Sequence, residues 1–198
     1  MKKALFIIVL VLLIDQISKI YIKTNFFYGE EVVVFDWFRI HFIENNGMAW
    51  GAEFGGKAGK LFLTIFRLFA ITGIGYWLYT SVKKKAHTIL IVAISLIFAG
   101  AMGNIIDSVF YGTIFNTPGG LNIATLFSDK PYGKLFFGKV VDMLYFPMWS
   151  GNLPSWIPFY GGKPFTFFNA IFNVADTAIS TGVGLLIVFN KKVFPKEV

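Results

Sequence analysis

HTILIVAISLIFAGAMGNIIDSVF, residues 87–110, is an apolar run that meets Asn104 and Asp107 near its far end. A helix crosses a bilayer with about 20 predominantly apolar residues. An acid at the centre of such a helix costs about 2.5 to 3.5 kcal/mol on insertion scales, so each one asks for a reason. Working outward, comparable runs occur at about 4–22, 58–80 and 165–189. Four runs predict an all-α membrane protein with four transmembrane helices in one unit spanning residues 1–198. The composition agrees: 56% hydrophobic, 19% aromatic and only 15% charged residues are too apolar for an ordinary soluble domain.

The intervening segments read differently. Residues 24–57 include EEVVVFDWFRIHFIENNGMAWG, rich in β-branched and aromatic residues and closing on an Asn-Gly pair, which predicts a small β-sheet. Residues 111–164 hold Pro118, Pro131, Pro147, Pro154, Pro158 and Pro164 with many glycines, the signature of a long, structured loop. Its aromatics, among them Trp149, Trp156, Phe159 and Tyr160, suit the headgroup zone and membrane lipid. If the spans alternate, Lys2 and Lys3, Lys83 to Lys85, and Lys191, Lys192 and Lys196 share one side. That places both termini in the cytoplasm and the sheet and long loop outside it. The opening run lacks a small-x-small cleavage site, which predicts a retained span. The net charge of +7 falls in short clusters beside apolar runs, so nucleic acid is not the expected partner. With no Cys, disulfides and thiolate metal sites are excluded.

The intramembrane acids share a depth. At 1.5 Å per residue, Asp15 lies about 18 Å from Lys3, Asp107 about 33 Å from Lys85 and Asp176 about 22 Å from Lys191, all in the outer half. Asp142, in the long loop, is free to reach the same level. Gly100, Asn104 and Asp107 repeat at i, i+4, i+7, and so do Asn169, Asn173 and Asp176, which predicts one polar stripe on each of the last two spans. Ala99, Gly100, Ala101 and Gly103 would let the third span approach a neighbour closely.

Four blocks then match in order. DQISK carries Asp15 and Lys19; NNGMAWG carries Asn45, Gly47, Ala49 and Trp50; GAMGNIID with the later VVD carries Gly100, Asn104, Asp107 and Asp142; FNVADTAIS carries Asn173, Ala175 and Asp176. Through these blocks the chain resembles the lipoprotein signal peptidases, the type II signal peptidase family of bacterial membrane aspartyl peptidases, along nearly its whole length. The resemblance implies an enzyme of the inner membrane, acting as a monomer without metal or cofactor. Its substrates would be diacylglyceryl-modified prolipoproteins, cut just before the lipidated Cys. Asp142 and Asp176 would be the catalytic carboxylates, and the shared titration belongs to the pair rather than to either member. Asn45, Asn104, Asn173 and Gly100 would hold substrate or orient the dyad, and Asp107 would brace it. Asp15 and Lys19, at i, i+4, read as a structural ion pair.

Two departures from the family pattern stand out. Ser108 occupies the place of an arginine, and Thr113 to Lys139 looks like an insertion able to reshape substrate entry. Arg67 on the second span is a candidate stand-in for the arginine, set against the simpler reading that it snorkels or pairs with a carbonyl. Other enzyme classes fit poorly: His41 and His87 fall on opposite sides of the predicted topology, and neither lies in an H-E-x-x-H pattern. A small transporter or assembly factor would place its acids nearer the midplane and show repeated halves. A structural four-helix protein would need its acids for stability alone.

Overall fold

A computed structural model describes residues 1–47, 56–119 and 122–195; Ala49 and Trp50 of the second motif block, and Lys196, lie outside the described residues. Three apolar runs form helices long and apolar enough to cross a membrane. They are α1 (Lys2–Asn25), α2 (Gly56–Lys83) and α3 (Thr88–Ile106), the last prolonged by a π-helical turn (Asp107–Tyr111) and the single turn α4 (Gly112–Ile114). Their outward faces carry large apolar side chains, including Phe6, Ile17, Phe62, Phe66 and Phe69, that stay mostly exposed. Such a surface suits hydrocarbon rather than water.

The fourth run departs from expectation. Residues 165–189 divide between the end of β5 (Pro164–Phe167), β6 (Ile171–Phe172) and α5 (Val174–Val188), a helix of only 15 residues that is followed by α6 (Asn190–Val193). The cause is local. Asn173 accepts from the Asp176 backbone N–H while the Asp176 carboxylate accepts from the Asn173 N–H, a capping box that fixes the helix start. Upstream, aromatic and β-branched residues favour strands. Asn169 therefore leaves the predicted stripe; it is exposed and accepts a hydrogen bond from Tyr145 Oη at 3.2 Å.

The remaining strands are β1 (Glu31–Phe35), β2 (Phe38–Asn45), β3 (Val140–Tyr145) and β4 (Trp149–Asn152). β1, β2, β3 and β6 form one antiparallel sheet in that order, and β4 and β5 pair separately. β3, drawn from the long loop, thus sits mid-sheet between β2 and β6. One apolar core (Ile22, Phe42, Tyr111, Phe115, Val141, Met143) joins the end of α1, the sheet and the π turn. A second core, with Ala4, Leu78, Leu90 and Val193, brings both terminal segments to the α2–α3 turn at the opposite end.

The segment expected to be an insertion docks on the π turn. A π turn shifts backbone carbonyls out of the helical ladder. The Ser108 carbonyl accepts from Gly138 N at 2.9 Å, the Val109 carbonyl from Phe136 N at 3.0 Å and the Gly112 carbonyl from Gly133 N at 2.8 Å. α3 also packs closely on α5. A Cβ at Gly100 would overlap the Ala175 carbonyl oxygen and lie 2.8 Å from Ile179 Cγ1. Gly100→Val is accordingly expected to cost about 1 to 3 kcal/mol by overpacking, read as a lower unfolding temperature in detergent. Gly100 thus meets α5 at Ala175, one residue before Asp176.

Candidate active site

Two acidic residues on different elements are joined by one side chain, which meets one at its carboxylate and the other at its backbone. Asp142 comes from β3 and Asp176 from the first turn of α5, and Asn173, the α5 cap, touches both. Asn173 Nδ2 donates to Asp142 Oδ1 at 2.7 Å and lies 3.2 Å from the Val141 carbonyl oxygen. Asn173 Oδ1 accepts from Asp176 N at 2.9 Å. Asn104 completes the ring from α3: its Nδ2 donates to Asp176 Oδ1 at 2.8 Å, and its Oδ1 accepts from Asn173 Nδ2 at 3.1 Å.

Asn45 reaches Asp142 along the sheet. The register sets Ile43 opposite Asp142 and Asn45 opposite Val140, so Asn45 and Asp142 are diagonal neighbours on one face. Asn45 Nδ2 donates to Asp142 Oδ2, and Asn45 Oδ1 accepts from Gly47 N at 2.5 Å. Gly47 has a φ of +86°, a turn conformation that favours glycine. Asp142 is 3% exposed. Burial pushes its carboxyl up to about 7 and the charge of Asp176 adds to the rise, opposed by donation from Asn173 and Asn45.

Behind the ring lies a buried charge cluster larger than a single ion pair. Lys19 Nζ is 2.9 Å from Asp15 Oδ2, 2.8 Å from Asp107 Oδ2 and 2.9 Å from Asn104 Oδ1. Asp15 Oδ1 accepts from Ala175 N at 2.9 Å, and Asp107 Oδ2 from Val141 N at 3.4 Å. The cluster therefore clamps the residue before each carboxylate of the ring: Ala175 precedes Asp176, and Val141 precedes Asp142. Gly103 keeps space for this, since a Cβ there would stand 2.5 Å from Asp15 Oδ2.

Sequence reasoning passed over Gln16 and Lys23. Gln16 Nε2 lies 3.0 Å from Asp15 Oδ2 and 2.9 Å from Asp107 Oδ1, while Gln16 Oε1 accepts from Tyr111 Oη at 3.2 Å. Lys23 is buried, pairs with Glu44 and lies 5.0 Å from the Phe115 ring centre. Asp15, Lys19 and Lys23 repeat at i, i+4, i+8, a spacing that could have marked all three as one inward face.

Ser108 Oγ turns back onto its own helix, donating to the Asn104 carbonyl at 2.9 Å. Arg67 donates to the Gly47 carbonyl, and its charge interacts with that of Asp176. The carbonyl contact is the simpler of the two readings of Arg67. His87 caps α3 by accepting from Ile89 N, and His41 lies beside Glu31. Among the described residues no group of three or more His, Cys, Asp or Glu is arranged to hold a metal ion.

Comparison with known proteins places the geometry in context. A family model described as Signal peptidase (SPase) II, Peptidase_A8, matches residues 7–191. A lipoprotein signal peptidase of Porphyromonas gingivalis is 50% identical over 184 residues, covering 92% of this chain and 80% of the relative. One from Amoebophilus asiaticus is 37% identical over 188 residues, covering 91% and 74%. A bacterial membrane enzyme solved by the in meso method at 2.3 Å resolution aligns with a TM-score of 0.61 and 27% identity, over 100% of this chain and 95% of that one.

Proposed function

This chain belongs to the signal peptidase II family, and we propose that Asp142 and Asp176 are its catalytic carboxylates. It is an aspartic endopeptidase that removes signal peptides from prolipoproteins. The substrates on this reading are diacylglyceryl-modified, and cleavage falls just before the lipidated Cys. The observation that carries the assignment is the shared partner: one Asn173 side chain bonds the Asp142 carboxylate and the Asp176 backbone.

The burial of Asp142 gives the two acids different roles. Asp142, whose carboxyl burial raises to about 7, is the acid, and Asp176, in the first turn of α5 where the helix dipole favours negative charge, is the base. Asp176 takes a proton from water as the water oxygen attacks the scissile carbonyl carbon. Asp142 gives its proton to the carbonyl oxygen, forming the tetrahedral intermediate. Collapse breaks the C–N bond; the amine leaves with the proton from Asp176, and Asp142 recovers its own from the hydroxyl. Asn45, Asn104 and Asn173 hold the carboxylates, and Asp107 and Lys19 hold the strand and helix that carry them.

The enzyme on this reading crosses the bacterial inner membrane four times and acts as a monomer. α5 and the residues at its ends make the fourth crossing, the two termini face the cytoplasm, and the dyad lies near the outer face. The second core supports this topology, since it gathers both termini and the α2–α3 turn at the end opposite the dyad.

The direct test is a gel-shift assay of purified protein with a diacylglyceryl-modified prolipoprotein; folded protein that releases no signal peptide would overturn the assignment. The pH profile tests the division of roles. The mechanism needs Asp142 protonated, so kcat/KM should fall as pH rises through about 7, by about tenfold per unit once the proton is lost. Asn45→Leu removes a donor that favours the ionised form of Asp142, and the alkaline limb should then move to higher pH. An unmoved limb would assign it to another group.

A further inference from the structure

The hairpin β4–β5 has two unlike faces. Its register sets Trp149 opposite Phe167 and Gly151 opposite Phe165, which puts these residues on one face and Ser150, Asn152 and Thr166 on the other. The Ser150 and Thr166 hydroxyls are 3.0 Å apart. A Cβ at Gly151 would stand 2.7 Å from Trp149 Cζ2, so the glycine leaves room for the indole, which lies 6.3 Å from the Phe165 ring centre. Trp149, Phe165 and Phe167 nonetheless stay exposed. The turn beyond them is closed by its own backbone. Leu153 N donates to the Lys163 carbonyl at 3.0 Å, and Gly162 N and Gly161 N donate to the Leu153 and Ile157 carbonyls at 2.9 Å. That frame leaves Trp156 79% and Phe159 91% exposed, with Tyr160 exposed beside them. Phe159 has a φ of +66°, a conformation that disfavours bulky side chains, so its ring is presented against the backbone's preference. Between Asp142 and Asp176 the sequence has no other acid, and Lys163 is its only charged side chain.

A two-stranded hairpin is marginal in water, and an exposed apolar face asks for a partner. The place of the sheet supplies one. α1 delivers Ala4 to one apolar core and Ile22 to the other, about 27 Å apart at 1.5 Å per residue. The hydrocarbon layer of a bilayer is about 30 Å thick. Exposed Tyr21 beside Ile22, and exposed Tyr76 and Tyr79 beside Leu78 of the second core, match the aromatic residues that gather at the two membrane–water boundaries. Phe42, Val141 and Met143 share the core of Ile22, so the sheet stands at one boundary. The hairpin leaves that sheet. Tyr145 Oη donates to Asn169 Oδ1 at 3.2 Å across its base, and the Phe168 ring lies 5.9 Å from that of Phe172 in β6. We infer that the β4–β5 hairpin is a membrane anchor, with its 156–160 tip and its Trp149, Phe165 and Phe167 face set into the interfacial layer of the lipid leaflet at the sheet end. Ser150, Asn152 and Thr166 then face water. Lys163, 5.0 Å from the Tyr160 ring centre, reaches the lipid phosphates. The anchor does not depend on which acids carry the chemistry.

The chain has no Cys, so one introduced Cys takes an environment-sensitive fluorophore at a single place. The test uses the full chain in phosphatidylcholine nanodiscs, where both membrane faces meet the solvent. A probe on Phe159→Cys should lose most of its quenching by aqueous iodide. Doxyl groups placed high on the acyl chain should quench it more than groups placed low, as expected for a depth of about 5 to 10 Å into the boundary layer. A probe on Asn152→Cys, from the polar face of the same hairpin, should be quenched by iodide. Unfolding temperatures matched to the unlabelled protein show that the variants are folded, and Trp156→Cys takes the place of Phe159→Cys if the latter does not fold. Equal iodide access at the tip and at position 152, or no quenching of the tip by doxyl lipid, overturns the anchor. Protection of the tip only in discs loaded with two copies would assign the apolar face to a second copy of the chain, and the inference would be wrong.

Discussion

Asp142→Asn and Asp176→Asn should each reduce signal-peptide release by about 10³- to 10⁴-fold while leaving the protein folded, the loss expected when a paired acid or base is removed. The two substitutions are close to isosteric. At position 176 an amide oxygen can still accept from Asn104 Nδ2, and the Asn173 side chain still caps the helix through the backbone N–H. The cost in stability is therefore small beside the expected loss of rate. At position 142 the change is harsher locally, because Asn45 and Asn173 both donate to the carboxylate and an amide offers one acceptor in place of two. A gel-shift assay with matched unfolding temperatures separates the outcomes. Full activity in either folded variant would remove that residue from the chemistry, and loss of folding without a specific loss of rate would favour a structural role.

Three helices, and the polar residues that the fold gathers around Asp142 and Asp176, were legible in the sequence for physical reasons. α1, α2 and α3 are long unbroken apolar runs, and membrane-depth Asp and Asn are costly enough to point to a purpose. The start of α5 was not legible from hydropathy, because the strands β5 and β6 are as apolar as the helix they precede. The deciding signal was the pair Asn173 and Asp176: at i, i+3 they form a capping box, whereas i, i+4, i+7 spacing with Asn169 suggested a continuous stripe. The stripe on α3 also divides in three dimensions. Gly100 faces α5, Asn104 faces the dyad and Asp107 faces α1, since the helix passes into a π turn at Asp107. Lys23, close to the end of its apolar run, is enclosed by Glu44, Phe115 and Tyr132, which belong to other segments of the chain. Such partners are set by tertiary packing, which no local period encodes.

Lys19→Met should be among the most disruptive single changes, costing about 3 to 5 kcal/mol, because it leaves Asp15 and Asp107 buried together without their cation. The energetic loss is only half of its effect. Lys19 donates and cannot accept, so its contact with Asn104 obliges that side chain to present Oδ1 to the ammonium. Asn104 Nδ2 is then the atom turned to Asp176, where it meets an acceptor. Lys19 thus fixes the direction of the hydrogen bonds that reach Asp176, although it touches neither Asp142 nor Asp176. Adding Asp15→Asn and Asp107→Asn to Lys19→Met removes the unpaired charges and should recover much of the unfolding temperature. It does not restore the donor that orients Asn104, so the triple variant should remain slow, by about tenfold or more in kcat/KM. Lys19→Arg, with a charge but a planar guanidinium in a fully buried place shaped for an ammonium, should recover less stability than the neutral triple variant. Unfolding temperature and kcat/KM measured on all three variants decide it. If the triple variant regains full activity along with stability, Lys19 serves the fold alone and the polarity of the network is set elsewhere.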